Sequence, residues 1–337
     1  MRVLFHHLAP FSLTHGGVQV QILQTRAALE ALGVEIDFLR WWDGEQQADL
    51  IHFFGRAPVH LVRTAQQKGI KVVVADLLTE QGSRPRFRLW LQEISRRVLR
   101  KAAPQFTSAL NWDSYRLADA CVALTHWESN LMTELFGALP AKTHVVPNGV
   151  EEVFLNSQAT ERGRWLVCTA TITERKRIME LAQAAVMAAT PLWVIGRPYS
   201  EADPYVSRFV ELARQNASVL RYEGAISDRA KLAQVYRQAR GFVLLSAMES
   251  LSLSALEAAA GECPLLLSDL PWARTVFEQN AWYCSARQST AATATVLRKF
   301  YDAAPALKPP PKPMTWRDVG AQLKALYEEL LGKNVGD

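Results

Sequence analysis

Short apolar runs alternate with helix-length amphipathic segments along this chain, a pattern that few folds can accommodate. Arg2-Val-Leu-Phe-His-His7 is the first run, and residues 34–39, 50–54, 71–75 and 120–124 repeat the pattern. Between the first two, Val20, Leu23, Ala27, Ala28 and Leu32 recur at three- and four-residue spacing, which predicts a helix over 18–32 with Gly33 as its stop. Parallel strands need long, usually helical, crossovers, so strands separated by helices predict a parallel sheet. Pro147-Asn148-Gly149 is a turn signal, and the polar stretch to Arg164 marks a boundary. Beyond it the alternation restarts, with strands predicted at 165–170, 192–195, 218–222, 241–246 and 264–267 and helices at 178–189, 204–215, 229–239 and 252–260. The expectation is an α/β chain of two doubly wound domains facing a cleft, spanning 1–155 and 156–307. Residues 308–337 then hold a stiff proline linker, Lys308-Pro-Pro-Pro-Lys-Pro-Met314, and a final amphipathic helix opened by the capping-box-like Thr315-Trp-Arg-Asp318.

Composition agrees with a folded two-domain chain. At 337 residues, with 49% hydrophobic and 21% charged residues, disorder and fibrous architectures are excluded. No run of eighteen apolar residues appears, and Met1–Pro10 is too short and His-rich for a signal sequence, so a cytoplasmic protein is expected. Cys121, Cys168, Cys263 and Cys284 lack any C-x-x-C spacing, which favours reduced, buried thiols. His6, His7, His15, His52, His126 and His144 show no ligand spacing and are expected in core or loop roles.

The chemistry concentrates at 241–264. An apolar strand ends near Ser246, a short loop carries Glu249, and a helix with Ser252 as its N-cap carries Glu257. Free backbone N–H groups and the positive dipole end make such a helix start an anion site, suited to a diphosphate. Two flanking carboxylates can accept hydrogen bonds from sugar hydroxyls on either side of it. Read in isolation, the two acids would be a solvated loop residue and a solvated helix residue; the strand-loop-helix context favours a site.

Glu249 and Glu257 reproduce the E-x7-E motif of retaining glycosyltransferases of the GT-B fold, and the whole chain resembles glycosyltransferase family 4, the group 1 glycosyl transferases. Gly16-Gly17 sits where that family has its N-terminal glycine loop. Val146-Pro-Asn-Gly-Val150 resembles the segment ending its first domain, and Ser268-Asp-Leu-Pro271 resembles a loop of its second. The tail from Trp316 to Leu331 resembles the helix that crosses back onto the first domain. By that resemblance the first domain is the acceptor side and the second binds the nucleotide sugar. Glu257 would hold the ribose hydroxyls, while Glu249 and the backbone of Ser250, Leu251 and Ser252 would hold the donor sugar. Gly16 and Gly17 would let the backbone approach a phosphate or the acceptor, beside the plainer reading of a turn before a helix.

Lys176 falls where the family places the lysine of its R-x4-K pair, and a lysine there would neutralise charge building on the leaving diphosphate. Thr171 stands at the arginine position, so charge stabilisation passes to Lys176, the helix dipole and Arg175 or Arg197. Without the resemblance, Lys176 reads as one solvated cation in a basic run. Ser250 and Ser252 replace glycines frequent in the family. Asp76 comes nearest to a family histidine beside the sugar; it would orient a hydroxyl or an acceptor, or only cap the following segment.

The resemblance implies catalysis that retains the anomeric configuration without a metal or other cofactor. No Asp-x-Asp pair occurs, which argues against a metal-chelating transferase of the other common fold. No carboxylate announces itself as a covalent nucleophile, so a front-face route is expected, the departing phosphate oxygen taking the acceptor's proton.

One stretch stands apart. Between Arg84 and Lys101 lie seven basic residues and one acid, Glu93, with Phe87, Trp90, Leu91, Ile94 and Val98 at helical spacing. That is the pattern of a membrane-surface helix at the inner membrane face, but a stripe of that width is also what any helix docked on a sheet needs, and the docked helix is the first expectation. A nucleic-acid partner is not expected, because no binding motif accompanies the charge. The function anticipated is transfer of a sugar from a nucleotide-diphosphate donor to a glycan, lipid-linked or small-molecule acceptor. A nucleotide-sugar epimerase or phosphorylase on the same fold, and a non-catalytic sugar-nucleotide-binding subunit, are the rival readings.

Overall fold

The computed structural model describes residues 1–12, 16–102, 110–156 and 161–332; His15 lies outside them. The chain divides into two compact units, residues 1–148 with the segment from Trp316 onward, and Gly149–Thr315.

The first unit is built on a parallel sheet whose described strands are β1 (Arg2–His7), β2 (Glu35–Phe38), β3 (Leu50–Phe54), β4 (Lys71–Ala75), β5 (Ala120–Ala123) and β6 (Thr143–Val145), in the order β2-β1-β3-β4-β5-β6. Helices cover both faces, so the central strands bury side chains on each side: every residue of β3 is buried, and Val72, Val73 and Val74 of β4 are fully so. The order reverses at β1, placing the switch point between β1 and β3, where the loops after both strands emerge.

The last helix, Trp316–Leu330, completes this unit. It packs on the helix Gly17–Ala31 so closely that a Cβ on Gly320 would stand 2.9 Å from Cβ of Ala28. Tyr327 is buried against β3, its hydroxyl 2.5 Å from Nδ1 of His52, and His52 stacks on Phe54 with ring centroids 4.3 Å apart.

In the second unit the described strands are β7 (Leu166–Thr169), β8 (Leu192–Ile195), β9 (Leu220–Tyr222), β10 (Gly241–Leu244), β11 (Leu265–Ser268) and β12 (Trp282–Cys284), again all parallel, in the order β12-β11-β10-β7-β8-β9. This is the doubly wound order whose switch point falls between its first and fourth strands, β7 and β10. The helices Pro271–Phe277 and Thr290–Ala303 and the strand β12 extend the alternation beyond where the sequence pattern showed it. All four cysteines are free and buried, and burial pushes the thiols of Cys121, Cys168 and Cys263 up to about 12.

Candidate active site

In the second unit, the loops that leave β7 and β10 flank the switch point. The first runs from Ala170 into a 3-10 turn, Glu174–Lys176, and then reverses at Arg177, whose φ of 53° is left-handed. The second runs from Leu245 to Ser252, which caps the helix Leu253–Ala260 by accepting from Ala255 N at 3.4 Å. A backbone hydrogen bond from Ala247 N to Arg175 O, 2.8 Å, ties the two loops together.

Across that tie stand the chemical groups. Nζ of Lys176 is paired with Oε1 of Glu249, while Nη1 of Arg175 lies 3.6 Å from Oε2 and donates to Met248 O at 3.0 Å. Glu249, Ser250, Leu251 and Ser252 are all buried, at 5–8% exposure, so the carboxylate sits between two cations in a place that excludes most water. Two buried hydroxyls in the same loops, Thr173 Oγ1 and Ser246 Oγ, have no protein partner. Thr171, at the position of the missing arginine, is neutral, and it is Arg175 that the fold places beside Lys176. Arg197 follows β8 on the exposed side of its loop. The preceding Gly196 passes against the β7 loop: with φ 156°, a Cβ there would lie 1.8 Å from Ala170 O, so only glycine fits.

Glu257 is held separately, on the body of the helix. Its carboxylate accepts from Nη2 of Arg229 and from the Tyr236 hydroxyl at 3.3 Å, both on the helix Arg229–Gln238. Arg229 also reaches Glu151 at 2.8 Å and lies over the Phe154 ring, 4.7 Å from its centroid. Burial raises the pKa of Glu257, and the guanidinium of Arg229 opposes that shift. Tyr236 is raised well above its usual value, first by burial and then by the neighbouring carboxylate, so it remains a donor. Each Glu257 oxygen keeps further lone-pair capacity, since an ionised carboxylate can accept about four hydrogen bonds. Sequence reasoning missed Arg229, Tyr236 and Glu151. The one available signal was indirect: a glutamate buried in a helix requires a charged partner.

In the first unit, Gly16 forms the N-cap of the helix Gly17–Ala31 with φ 132°, a left-handed value suited to glycine, at the β1 side of that unit's switch point. Asp76 follows β4 directly. It accepts from the Tyr115 hydroxyl and lies 3.5 Å from Nε of Arg56, which itself stacks over the rings of Tyr115 and Phe136. Asp76 is therefore part of a packed cluster of three polar groups, of which Arg56 and Tyr115 were not anticipated.

A profile described as Glycosyltransferase Family 4 matches residues 37–153, and one described as Glycosyl transferases group 1 matches residues 163–302. The chain belongs to the family 4, group 1 glycosyltransferases. No curated protein matches it by sequence. Among solved structures it is similar to sucrose-phosphate synthase from Thermosynechococcus elongatus, with 16% identity, a TM-score of 0.66, and coverage of 99% of this chain and 100% of that one. A glycosyltransferase from Rickettsia africae gives 12%, 0.66, and 99% and 98%. Anabaena HepE, solved in complex with UDP, gives 12%, 0.65, and 98% and 100%. At these identities the likeness establishes the GT-B fold, with two parallel α/β units and a C-terminal helix that returns to the first. This glycosyltransferase thus carries its two E-x7-E carboxylates after β10, one in the loop beside Lys176 and one on the following helix beside Arg229. Among the described residues no helix is long and apolar enough to cross a membrane, and no three His, Cys, Asp or Glu side chains gather as metal ligands would.

Proposed function

We propose that this glycosyltransferase takes its sugar from a nucleoside diphosphate, with a uridine nucleotide as the first candidate, and transfers it with retention and without a metal ion. The observation that carries the reading is the Lys176–Glu249 pair across the β7/β10 switch point, with the Ser252-capped helix start immediately beyond. Ligands of doubly wound sheets bind at that crevice, and a helix start there favours an anion. A diphosphate at this place draws on Lys176, Arg175 and the first helix amides, and Thr173 and Ser246 supply hydroxyl donors. On this reading Glu249 accepts from the donor sugar and Glu257 from the ribose. The uridine assignment is supported by HepE, which was solved with UDP.

In the proposed reaction the bond between the anomeric carbon and the phosphate oxygen breaks first. Charge gathers on the leaving diphosphate, where two cations and a helix dipole in a buried site stabilise it most. The acceptor hydroxyl bonds to the same face of the sugar, and its proton passes to the departing phosphate oxygen. No protein carboxylate forms a bond to the sugar, and Lys176 with Arg175 takes the place of a divalent ion. In the first unit, Asp76 is proposed to orient a hydroxyl with the lone pairs that Tyr115 and Arg56 leave, and the Gly16-Gly17 turn to admit the acceptor or a phosphate.

A thermal-shift panel of nucleoside diphosphates and their sugars, run in EDTA on wild type and on Glu257→Ala, tests the donor assignment. A ligand at a hundred times its dissociation constant adds about 2.7 kcal/mol, a rise of roughly 5–10 °C for a unit of this size. A selective rise that the variant loses is the expected result; no rise with any nucleotide would sink the proposal. Turnover with retained configuration and no covalent glycosyl-enzyme species by mass spectrometry completes the case. Donor binding without turnover on any acceptor would instead describe a binding subunit.

A further inference from the structure

The helix Arg86–Ala102 has its amphipathic character turned inside out. At about 100° per residue, Leu89, Gln92, Glu93, Arg96 and Leu99 occupy one arc, all of them buried or half-buried. Leu89 belongs to the core of the first unit, and Nη2 of Arg96 donates to Glu134 O, 3.2 Å away on the helix His126–Phe136. The opposite arc, about 100° wide, holds Phe87, Trp90, Leu91, Ile94 and Val98. These five are exposed, Phe87, Trp90 and Val98 at 60, 59 and 58%. The stripe that a docked helix would bury is thus the one facing outward, while polar residues do much of the inward packing.

The borders of this apolar face are basic. Arg86 and Arg97 lie along one edge and Arg88 along the other, all exposed, and Arg100 and Lys101 follow in the sequence. The single acid of the stretch, Glu93, is neutralised by Arg97. A second copy laid face to face on this surface would bring like charges together, because a two-fold interface pairs the same patch with itself. An anionic surface complements it instead.

We propose that this helix is an interfacial anchor that lays Phe87, Trp90, Leu91, Ile94 and Val98 into the headgroup boundary of a bilayer rich in anionic lipid. Aromatic and aliphatic side chains on one face with arginines along its borders are what such a helix requires, and an aromatic ring is stable at headgroup depth. The inference stands independently of the donor chemistry, since it uses only the first unit and its readout is lipid binding.

The test is co-sedimentation of the full chain with vesicles of phosphatidylcholine alone and of phosphatidylcholine with phosphatidylglycerol, at low and high salt. Binding to the anionic vesicles, weakened by salt, is expected. Each cation near such a surface contributes about fivefold, so Arg86→Gln with Arg88→Gln should lower the partition coefficient roughly 25-fold. Phe87→Ser with Trp90→Ser and Ile94→Ser should lower it about tenfold or more, with unchanged melting because all three are exposed. Equal binding to neutral and anionic vesicles, or none to either, overturns the proposal. So does concentration-dependent self-association in sedimentation velocity that the serine variant abolishes, which would assign the face to a second copy.

Discussion

Replacing Arg229 with methionine isolates the electrostatics of the E-x7-E helix. The substitution keeps a hydrophobic side chain of similar length beside Phe154 but removes the one cation that, among the described residues, bonds Glu257, a residue 7% exposed. Breaking a fully buried ion pair costs about 3–5 kcal/mol. The Arg229 side chain is 35% exposed, so water reaches the gap, and a loss of about 2–3 kcal/mol at pH 8 is expected. For a unit of this size that is roughly 5–10 °C in melting temperature. The pH dependence makes the reasoning specific. Burial already raises the pKa of Glu257, and without Arg229 the hydrogen bond from the Tyr236 hydroxyl is left to oppose that shift. An acid with a raised folded pKa binds its proton in the native state first, so its penalty grows as pH rises through that window and shrinks as pH falls. Scanning calorimetry of the variant and wild type at pH 5 and pH 8 should show the melting gap closing at the lower pH. A gap under about 2 °C at pH 8, or one of equal size at both pH values, would refute the account.

Three further outcomes follow from the geometry. Lys176→Met should lower kcat about 10²–10³-fold, the usual effect of removing one group that stabilises a developing anion, with Lys176→Arg far less affected; steady-state kinetics showing less than a threefold change would remove Lys176 from the reaction. Burial drives His52 down to about 3, so between there and 6.5 the unfolded chain holds one more proton than the native one. Stability of the first unit should therefore fall by about 1.4 kcal/mol for each pH unit below 6.5, and His52→Leu should flatten that slope in urea titrations. Gly320→Val drives a branched side chain into Ala28 and should cost about 2 kcal/mol, lowering the urea midpoint of the first unit.

Much of the fold was legible because the alternation of apolar runs and amphipathic segments is strong: β3, β4 and β8 fall where the pattern puts them. Within the second unit the alternation was not read beyond Leu267, for local reasons. Strand β12 is three residues long with one fully buried position, and the helix Thr290–Ala303 opens with threonines, poor helix formers that Ser289 caps into place. At the site, the chain-local features were visible, namely Glu249, the Ser252 cap and Lys176. Arg229 and Tyr236 were not, because their bond to Glu257 spans 28 and 21 residues and nothing in their own neighbourhood announces it. The stripe on the helix Arg86–Ala102 shows the same limit from another side. Periodicity reveals that a helix has an apolar face, but which way the face points is set by Leu89 in the core and by the carbonyl that Arg96 meets.

The pairing of Trp316–Leu330 with Gly17–Ala31 bears on how this chain is made. The second unit is one continuous stretch and can fold as soon as it has been synthesised, whereas the first is assembled from the two extremes of the sequence. Until the last helix arrives, Ala28 and its neighbours face solvent, and His52 has no hydroxyl to meet. A nascent chain therefore carries an unfinished first unit throughout synthesis of the second, and the moment of completion is the docking of one helix. A stalled or shortened translation product would retain a sound second unit joined to a first unit still open along one flank, a natural target for chaperones.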